Sequence, residues 1–390
     1  MKRSIWLNLL FSIVAVVPIA LLAFVGYFIV ALLGGFRFYA PLSAVVAAVL
    51  CAYIVCSIFG WFTSRTRGIA FASFLGLCLL ATGGYELNKA YVNSLAQVSE
   101  QEVSLQQYQP FHPESKVAVL EQPASYKITD NPPRLDGATA LYPLYSAFVQ
   151  AVYPEDEYDP YDFADNPVVC SSTSYAYQRL LSGETDIIFT AAPSLAQEKD
   201  AKLAGRELVL TPIGREAFVF FVNKRNPVSS LTTEQIMDIY SGELTNWKQA
   251  GGRNDRIRAF QRDEGSGSQS MLQKIMKDRT LMQAPSEDVM DLMSGIISRT
   301  SSYRNYKNAI GFSFLYYASQ MNRSDELKLL AIDGVEPDKE SIRSGAYPYT
   351  VNFYAVTAGP PSAKMQAFLD WIVSPEGQEL VAKTGYVPVN

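Results

Sequence analysis

The run "LTTEQIMDIYSGELTNWKQAGGRNDRIRAFQRDEGSGSQSMLQ", residues 231–273, reads as a helix, a turn, a strand and the start of a second helix. Thr232 or Thr233 can cap the first helix, Ile236, Ile239 and Tyr240 make its apolar face, and Gly242 stops it. At the far end, Arg262 stands four residues ahead of Ser266-Gly267-Ser268, a turn that runs into an apolar, helix-like segment. A helix start leaves its first backbone N–H groups without partners, and a glycine-rich lead-in lets a ligand come close to them. Such a terminus suits an anion. Arg262 would add a planar, permanently charged fork for a tetrahedral oxyanion, and Ser266 and Ser268 would add hydroxyl donors. Taken alone, the pattern reads more simply as a serine cap beside a surface arginine. The rest of the chain has to decide.

Outward from this run, residues 127–390 keep the same rhythm. Short apolar segments such as "ELVLTPIG" and "AFVFFVNK" read as strands, and they alternate with helical segments such as "SYAYQRLLSGETD". Alternation of this kind predicts an α/β fold in two lobes, with mostly parallel sheet and ligands at the carboxyl ends of strands. Residues 1–84 differ: they are almost uncharged and hold three long apolar runs, about 5–33, 42–62 and 69–82. Runs near twenty residues read as membrane-spanning helices, and Pro18 is tolerable in lipid. A cleaved signal peptide would explain one run, not three. Lys2 and Arg3 precede the first run and Arg65 and Arg67 fill the second loop, whereas the first loop holds only Arg37. The positive-inside rule then puts the N-terminus in the cytoplasm and everything after about Tyr85 outside it. Gly26, Gly34, Gly35, Gly60 and Gly76 suit close helix packing. Residues 85–126 read as a juxtamembrane linker, leaving 127–390 as the binding domain.

Several function classes drop out. Cys170 is the single cysteine after residue 84, so no disulfide forms within the exported part. The sole histidine, His112, sits in the linker, against His-based triads and multi-His zinc sites. No P-loop pattern is present, and a net charge of −5 leaves no basic footprint for nucleic acid. The acidic stretch 153–167 lacks a calcium-loop pattern and reads as a solvated insertion. No catalytic residue, metal or cofactor is expected. Trp247 and the tyrosines Tyr142, Tyr145, Tyr175, Tyr177, Tyr316 and Tyr317 read as packing residues.

The opening run, in this context, resembles the central signature of phosphate-binding proteins of ABC importers, in which a helix, a T-N-W turn and a strand lead to the arginine and its Ser-Gly turn. Three further segments fit in the same order: "LDGATALYPLYSAF", "NAIGFSFLYYA" and "FLDWIVSPEGQELVAKTGYVPV". The resemblance spans residues 134–390. It implies a type 2 periplasmic-binding-protein fold, two α/β lobes joined by crossover strands and closing on a ligand, here preceded by three transmembrane helices.

The same resemblance implies four ligand loops. Thr139 falls on the family's first threonine, with the Ala140 N–H facing the anion. Thr173 falls on the family's serine, with Ser172 and Ser174 leaving the register open by one. The third loop has Thr190 and then Ala191, where the family pattern has a serine followed by an Asp or Arg. The fourth is Arg262, Ser266, Gly267 and Ser268, with Glu264 where the family carries an acid that braces the arginine. The acid missing at Ala191 leaves phosphate against sulfate open, because a carboxylate there would accept the proton that only phosphate carries. Asp136 or Asp263 could replace it, although each reads more simply as a loop or cap residue.

Two functions follow. In one, the anchored domain captures phosphate or a related oxyanion and presents it to an ABC permease. In the other, it senses a ligand and passes lobe closure to a membrane partner. A phosphatase is a weak third, since no His, metal or paired-carboxylate constellation is visible.

Overall fold

The computed structural model describes residues 5–32, 38–94, 103–285, 288–290, 296–297, 300 and 306–389. They fall into two compact units, Met1–Ser94 and Leu95–Asn390. In the first, the apolar runs form the helices Ile5–Val30, Tyr39–Ile58 and Ser64–Ser94. All three are long and apolar enough to cross a membrane, and their apolar side chains are largely exposed, as a lipid-facing surface requires. The third outruns its apolar run of 69–82 at both ends, beginning at Ser64 and carrying through the expected boundary at residue 84. Lys2, Arg3 and Arg37, on which the orientation argument partly rests, lie outside the described residues, as do Gly34 and Gly35.

In the second unit a seven-stranded sheet is organised by one long strand, Leu208–Asn223. The segments "ELVLTPIG" and "AFVFFVNK" are its two halves rather than separate strands. The first half pairs antiparallel with Thr350–Ala358, and the second pairs antiparallel with Ala309–Phe314 and Leu327–Leu329. Outside these, Leu135–Gly137 pairs parallel with Ile187–Ala191 at one end, and Arg258–Ala259 pairs parallel with Ala309–Phe314 at the other. The expected mostly parallel sheet is therefore mixed. The physical reason is the pair of strands that carry the chain between the two halves of the sheet, which run against their neighbours on both sides. Residues 218–222 of the long strand are fully buried on both faces, so its centre is a continuous aromatic and β-branched run.

Local signals built these elements. Thr232 caps the helix Thr233–Ser241 with Gln235 in a reciprocal capping box, an arrangement whose cap alone contributes about 1 kcal/mol, and Gly242 ends it at φ +84°. Trp247 is buried and its Nε1 donates to the Asn308 carbonyl at 2.8 Å, so the T-N-W turn is a packing device.

Residues 103–126 are no free linker. Val103, Leu105 and Tyr108 are buried in the same core as the sheet, the Phe111 N–H donates to Gln150, and Ser125 donates to Glu376. Three apolar side chains in a polar stretch did not register as a periodic signal. In the acidic insertion Tyr153 and Tyr158 are buried while the acids face solvent.

Candidate oxyanion site

Three helix starts converge on one cavity of about 340 Å³. The first follows the strand Leu135–Gly137, where the backbone turns hard against its neighbour. A Cβ on Gly137 would lie 2.5 Å from the Phe189 carbonyl, so only glycine fits. A single tight turn, Thr139–Leu141, then leads into the helix Tyr142–Val152. Inside this turn the N–H groups of Leu141 and Tyr142 are taken by the carbonyls of Ala138 and Thr139, which leaves Thr139 and Ala140 at its open end.

The second start is the helix Thr173–Ser182. Ser172 precedes it at φ +78°, a conformation uncommon outside glycine, and its side chain makes no capping hydrogen bond. The ordinary reading of a Ser/Thr cluster as a cap thus fails at this helix. Ser172, Thr173 and Ser174 all line the cavity.

At the third start Gly265, at φ +89°, turns the chain from Gln261–Arg262 into the helix Gly267–Met276. Ser266 is a cap here: its Oγ accepts from the Gln269 N–H at 3.2 Å, while its own hydroxyl proton stays available to another acceptor. Arg262 is positioned through its backbone, whose N–H donates to Gln269 Oε1, and Gln269 Nε2 donates to Gln261 in turn. Ser268 is 0% exposed, and its Oγ has no hydrogen-bond partner among the described residues although the residue lines the cavity. Buried hydroxyls are rarely left so.

The second and third starts face each other. A Cβ on Gly267 would sit 3.2 Å from Thr173 Oγ1, and one on Gly265 would sit 3.1 Å from Ser174 Oγ. Gln197 Nε2 donates to the Gly265 carbonyl and Lys274 Nζ to the Pro193 carbonyl, both across the same gap.

Thr139, Ala140, Thr173, Arg262, Ser266, Gly267 and Ser268 therefore line one cavity, together with Ser172, Ser174 and Asp263. Three other candidates lie apart from the lining. Asp136 is 0% exposed and its carboxylate is fully engaged: it accepts from the N–H groups of Gly137 and Ser171 and from Ser171 Oγ, and it pairs with Arg179 Nε at 3.1 Å. It clamps the first loop to the second and cannot stand in for the acid absent at Ala191. Thr190 is buried against the Tyr177 hydroxyl. Glu264 is exposed on the turn. Tyr142, Tyr145 and Tyr177 are core residues, but Tyr175 is 62% exposed at the cavity edge and Tyr317 lies in its wall.

Sequence reasoning missed Glu216. It lines the cavity from the long strand, is 5% exposed, and accepts a hydrogen bond from the Tyr316 N–H. Burial pushes its carboxyl up to about 8, only partly offset by that hydrogen bond. The signal was available, since a glutamate in step with Phe218 and Phe220 on a buried strand face is an anomaly. The remaining wall is largely apolar, with Phe314, Val351 and Phe353 beside Asn352.

A family model described as a PBP superfamily domain matches residues 129–376. The phosphate-binding protein PstS of Bacillus subtilis (strain 168) is 24% identical over 270 residues, 69% of this chain and 83% of that protein. The PstS of Borreliella burgdorferi is 29% identical over 186 residues, 46% of this chain and 65% of that protein. Among solved structures, a phosphate ABC transporter substrate-binding protein with bound phosphate from Clostridium perfringens superposes with a TM-score of 0.51 at 25% identity, over 66% of this chain and 98% of that one.

Proposed function

The chain belongs to the PBP superfamily, and from that premise we propose that it is a solute-binding protein that captures phosphate outside the cytoplasmic membrane, anchored by its N-terminal helices, for an ABC permease. One observation carries the reading most: a buried, unpartnered Ser268 hydroxyl and the start of its helix share a cavity with Arg262 and with two further helix starts. Donors of this kind, cationic or neutral and with few acceptors among them, suit a tetrahedral oxyanion. The relatives whose names specify phosphate support the choice of anion. Seven of the lining residues, Thr139, Ala140, Thr173, Arg262, Ser266, Gly267 and Ser268, act as its ligands. Closure brings the two halves of the domain around the anion, and the permease reads the closed form.

Calorimetric titration of the full chain in detergent with phosphate tests the binding step, and the reading fails if neither phosphate nor another oxyanion produces saturable heat. A reporter fused after Asn390 that works only in the cytoplasm would refute the orientation. Co-purification with a permease tests delivery. The sensory alternative draws on a separate observation: residues 103–108, which follow the third helix in sequence, place Tyr108 beside Tyr316, whose backbone N–H donates to Glu216 on the long strand. A ligand-dependent change in the environment of Tyr108, without phosphate uptake in cells that carry the permease, would favour sensing.

A further inference from the structure

Three carboxyl groups compete for the role left open by Ala191, and they differ in two properties. Asp136 is buried but lies outside the cavity lining, with its oxygens already engaged. Asp263 is in the lining but exposed to solvent, where a lone hydrogen bond to a ligand competes with water. Glu216 is both buried and in the lining. Its Oε1 accepts from the Tyr316 N–H, and its other oxygen has no hydrogen-bond partner among the described residues. The residue is also held in place, because it sits opposite Val351 in the antiparallel pairing of the long strand.

Its surroundings contain few competing charges. Arg215, next on the strand, donates to the Val389 carbonyl. Tyr316 and Tyr386 lie near the carboxyl, with Tyr108 beside Tyr316, and burial raises all three phenols, so they stay neutral where the carboxyl titrates. Arg262 and Asp263 share the cavity with it. Behind it, Asp338, Lys339 and Lys383 border a second cavity of about 410 Å³ that Glu216 also lines, and Lys383 is paired with Glu379.

Resting on the oxyanion reading of the cavity, we infer that Glu216 is the specificity-determining group that reads whether the bound anion carries a proton. As a carboxylate it accepts a hydrogen bond from monohydrogen phosphate. As a neutral acid it donates one to a fully ionised anion such as sulfate. A carboxylate facing sulfate has no proton to share and repels it.

Burial sets the carboxyl at about 8, so both forms are populated near neutral pH. The consequence has a definite sign. Sulfate needs the neutral acid, whose fraction falls from about nine-tenths to about one-tenth between about pH 7 and about pH 9. Sulfate affinity therefore drops about tenfold across that window, while phosphate, which can donate its proton to the carboxylate or accept one from the neutral acid through an unprotonated oxygen, does not share that loss. An amide in place of the carboxyl would donate or accept at any pH, so Glu216→Gln should bind both anions and lose the pH dependence of their ratio.

The test is equilibrium dialysis of the full chain in detergent against phosphate and sulfate, at steps across that window, for the wild type, Glu216→Gln and Asp263→Asn. The expected result is a sulfate-to-phosphate ratio that falls with pH in the wild type and in Asp263→Asn and is flat in Glu216→Gln. A wild-type ratio independent of pH overturns the inference without reference to any variant. So does a dependence that persists in Glu216→Gln, or one abolished by Asp263→Asn. No binding of either anion by the wild type at any pH would instead remove the oxyanion reading itself, and this inference with it.

Discussion

Replacing Ser268 by alanine should separate binding from folding. The hydroxyl is fully buried and makes no hydrogen bond among the described residues, so no contact of the native fold depends on it. Its removal leaves the helix Gly267–Met276 capped by Ser266 and the packing of that helix unchanged. If the hydroxyl serves a bound anion, however, the variant loses one hydrogen bond to a charged group, about 1.5–3 kcal/mol, or about 10- to 150-fold in Kd. Ser266→Ala is the natural comparison, because that oxygen holds the Gln269 N–H. It should lose a similar share of affinity and also about 1 kcal/mol of stability, a fall of about 2–4 °C in Tm. Calorimetry on both variants with phosphate, with thermal melts in the absence of ligand, distinguishes the two. A Ser268→Ala protein that binds phosphate within about threefold of wild type, or one that melts lower by as much as Ser266→Ala, would refute the assignment of this hydroxyl to the ligand.

Arg262→Ala should lose about 2–5 kcal/mol of phosphate binding by titration calorimetry, as happens when one partner of a buried charged pair is truncated. Unchanged affinity would take the arginine out of the site. Asp136→Ala leaves Arg179 without its buried partner and should cost about 3 kcal/mol or more of stability in a denaturant melt. Between the unfolded carboxyl value near 4.5 and about 8, native Glu216 holds a proton that the unfolded chain has released, so stability should fall as pH rises through that window by at most a few kcal/mol. Glu216→Gln should flatten this slope in pH-dependent melts. Lys274→Met removes the bond to the Pro193 carbonyl and should speed phosphate release about tenfold or less in stopped flow, with little effect on the melt.

Legibility followed the range of the physical signal. Helix starts and stops depend on neighbours within four residues, and there Thr232, Gly242 and the Ser266 turn were read correctly from the chain alone. Three of the four loops that the family resemblance singled out are helix starts, and the other, Thr190–Ala191, ends the strand Ile187–Ala191. Sheet direction depends on pairing between residues far apart in the chain, such as Ala217 with Thr350 and Phe218 with Phe314. The alternation of strands and helices therefore could not reveal that Leu208–Asn223 is one strand running against both neighbours. The roles of carboxyl groups were the least legible. Asp136 and Glu216 look alike in composition, yet one is paired with Arg179 and hydrogen-bonded by Ser171, while the other meets a single backbone N–H. Burial and partner geometry decide between a clamp and a reader, and neither is a local property.

The placement of these groups also bears on how closure and selection are joined. Thr173 and Ser174 approach Gly267 and Gly265 across the gap, and the bonds from Gln197 and Lys274 cross it as well. Two helix starts that present N–H groups to the same space repel each other until an anion lies between them. On the proposed reading, the anion would stabilise the closed arrangement because it interacts with both sides at once, and closure would need no separate trigger. Glu216 lies on the strand that joins the two halves of the sheet, so a proton mismatch at this carboxyl weakens the same closed state that the helix starts favour. Where Glu216 is ionised, a sulfate ion can satisfy the N–H groups and still fail at that carboxylate. Discrimination is then expressed as incomplete closure as well as weaker contact, and a partner that reads the closed form would receive less sulfate than its occupancy of the open cleft implies.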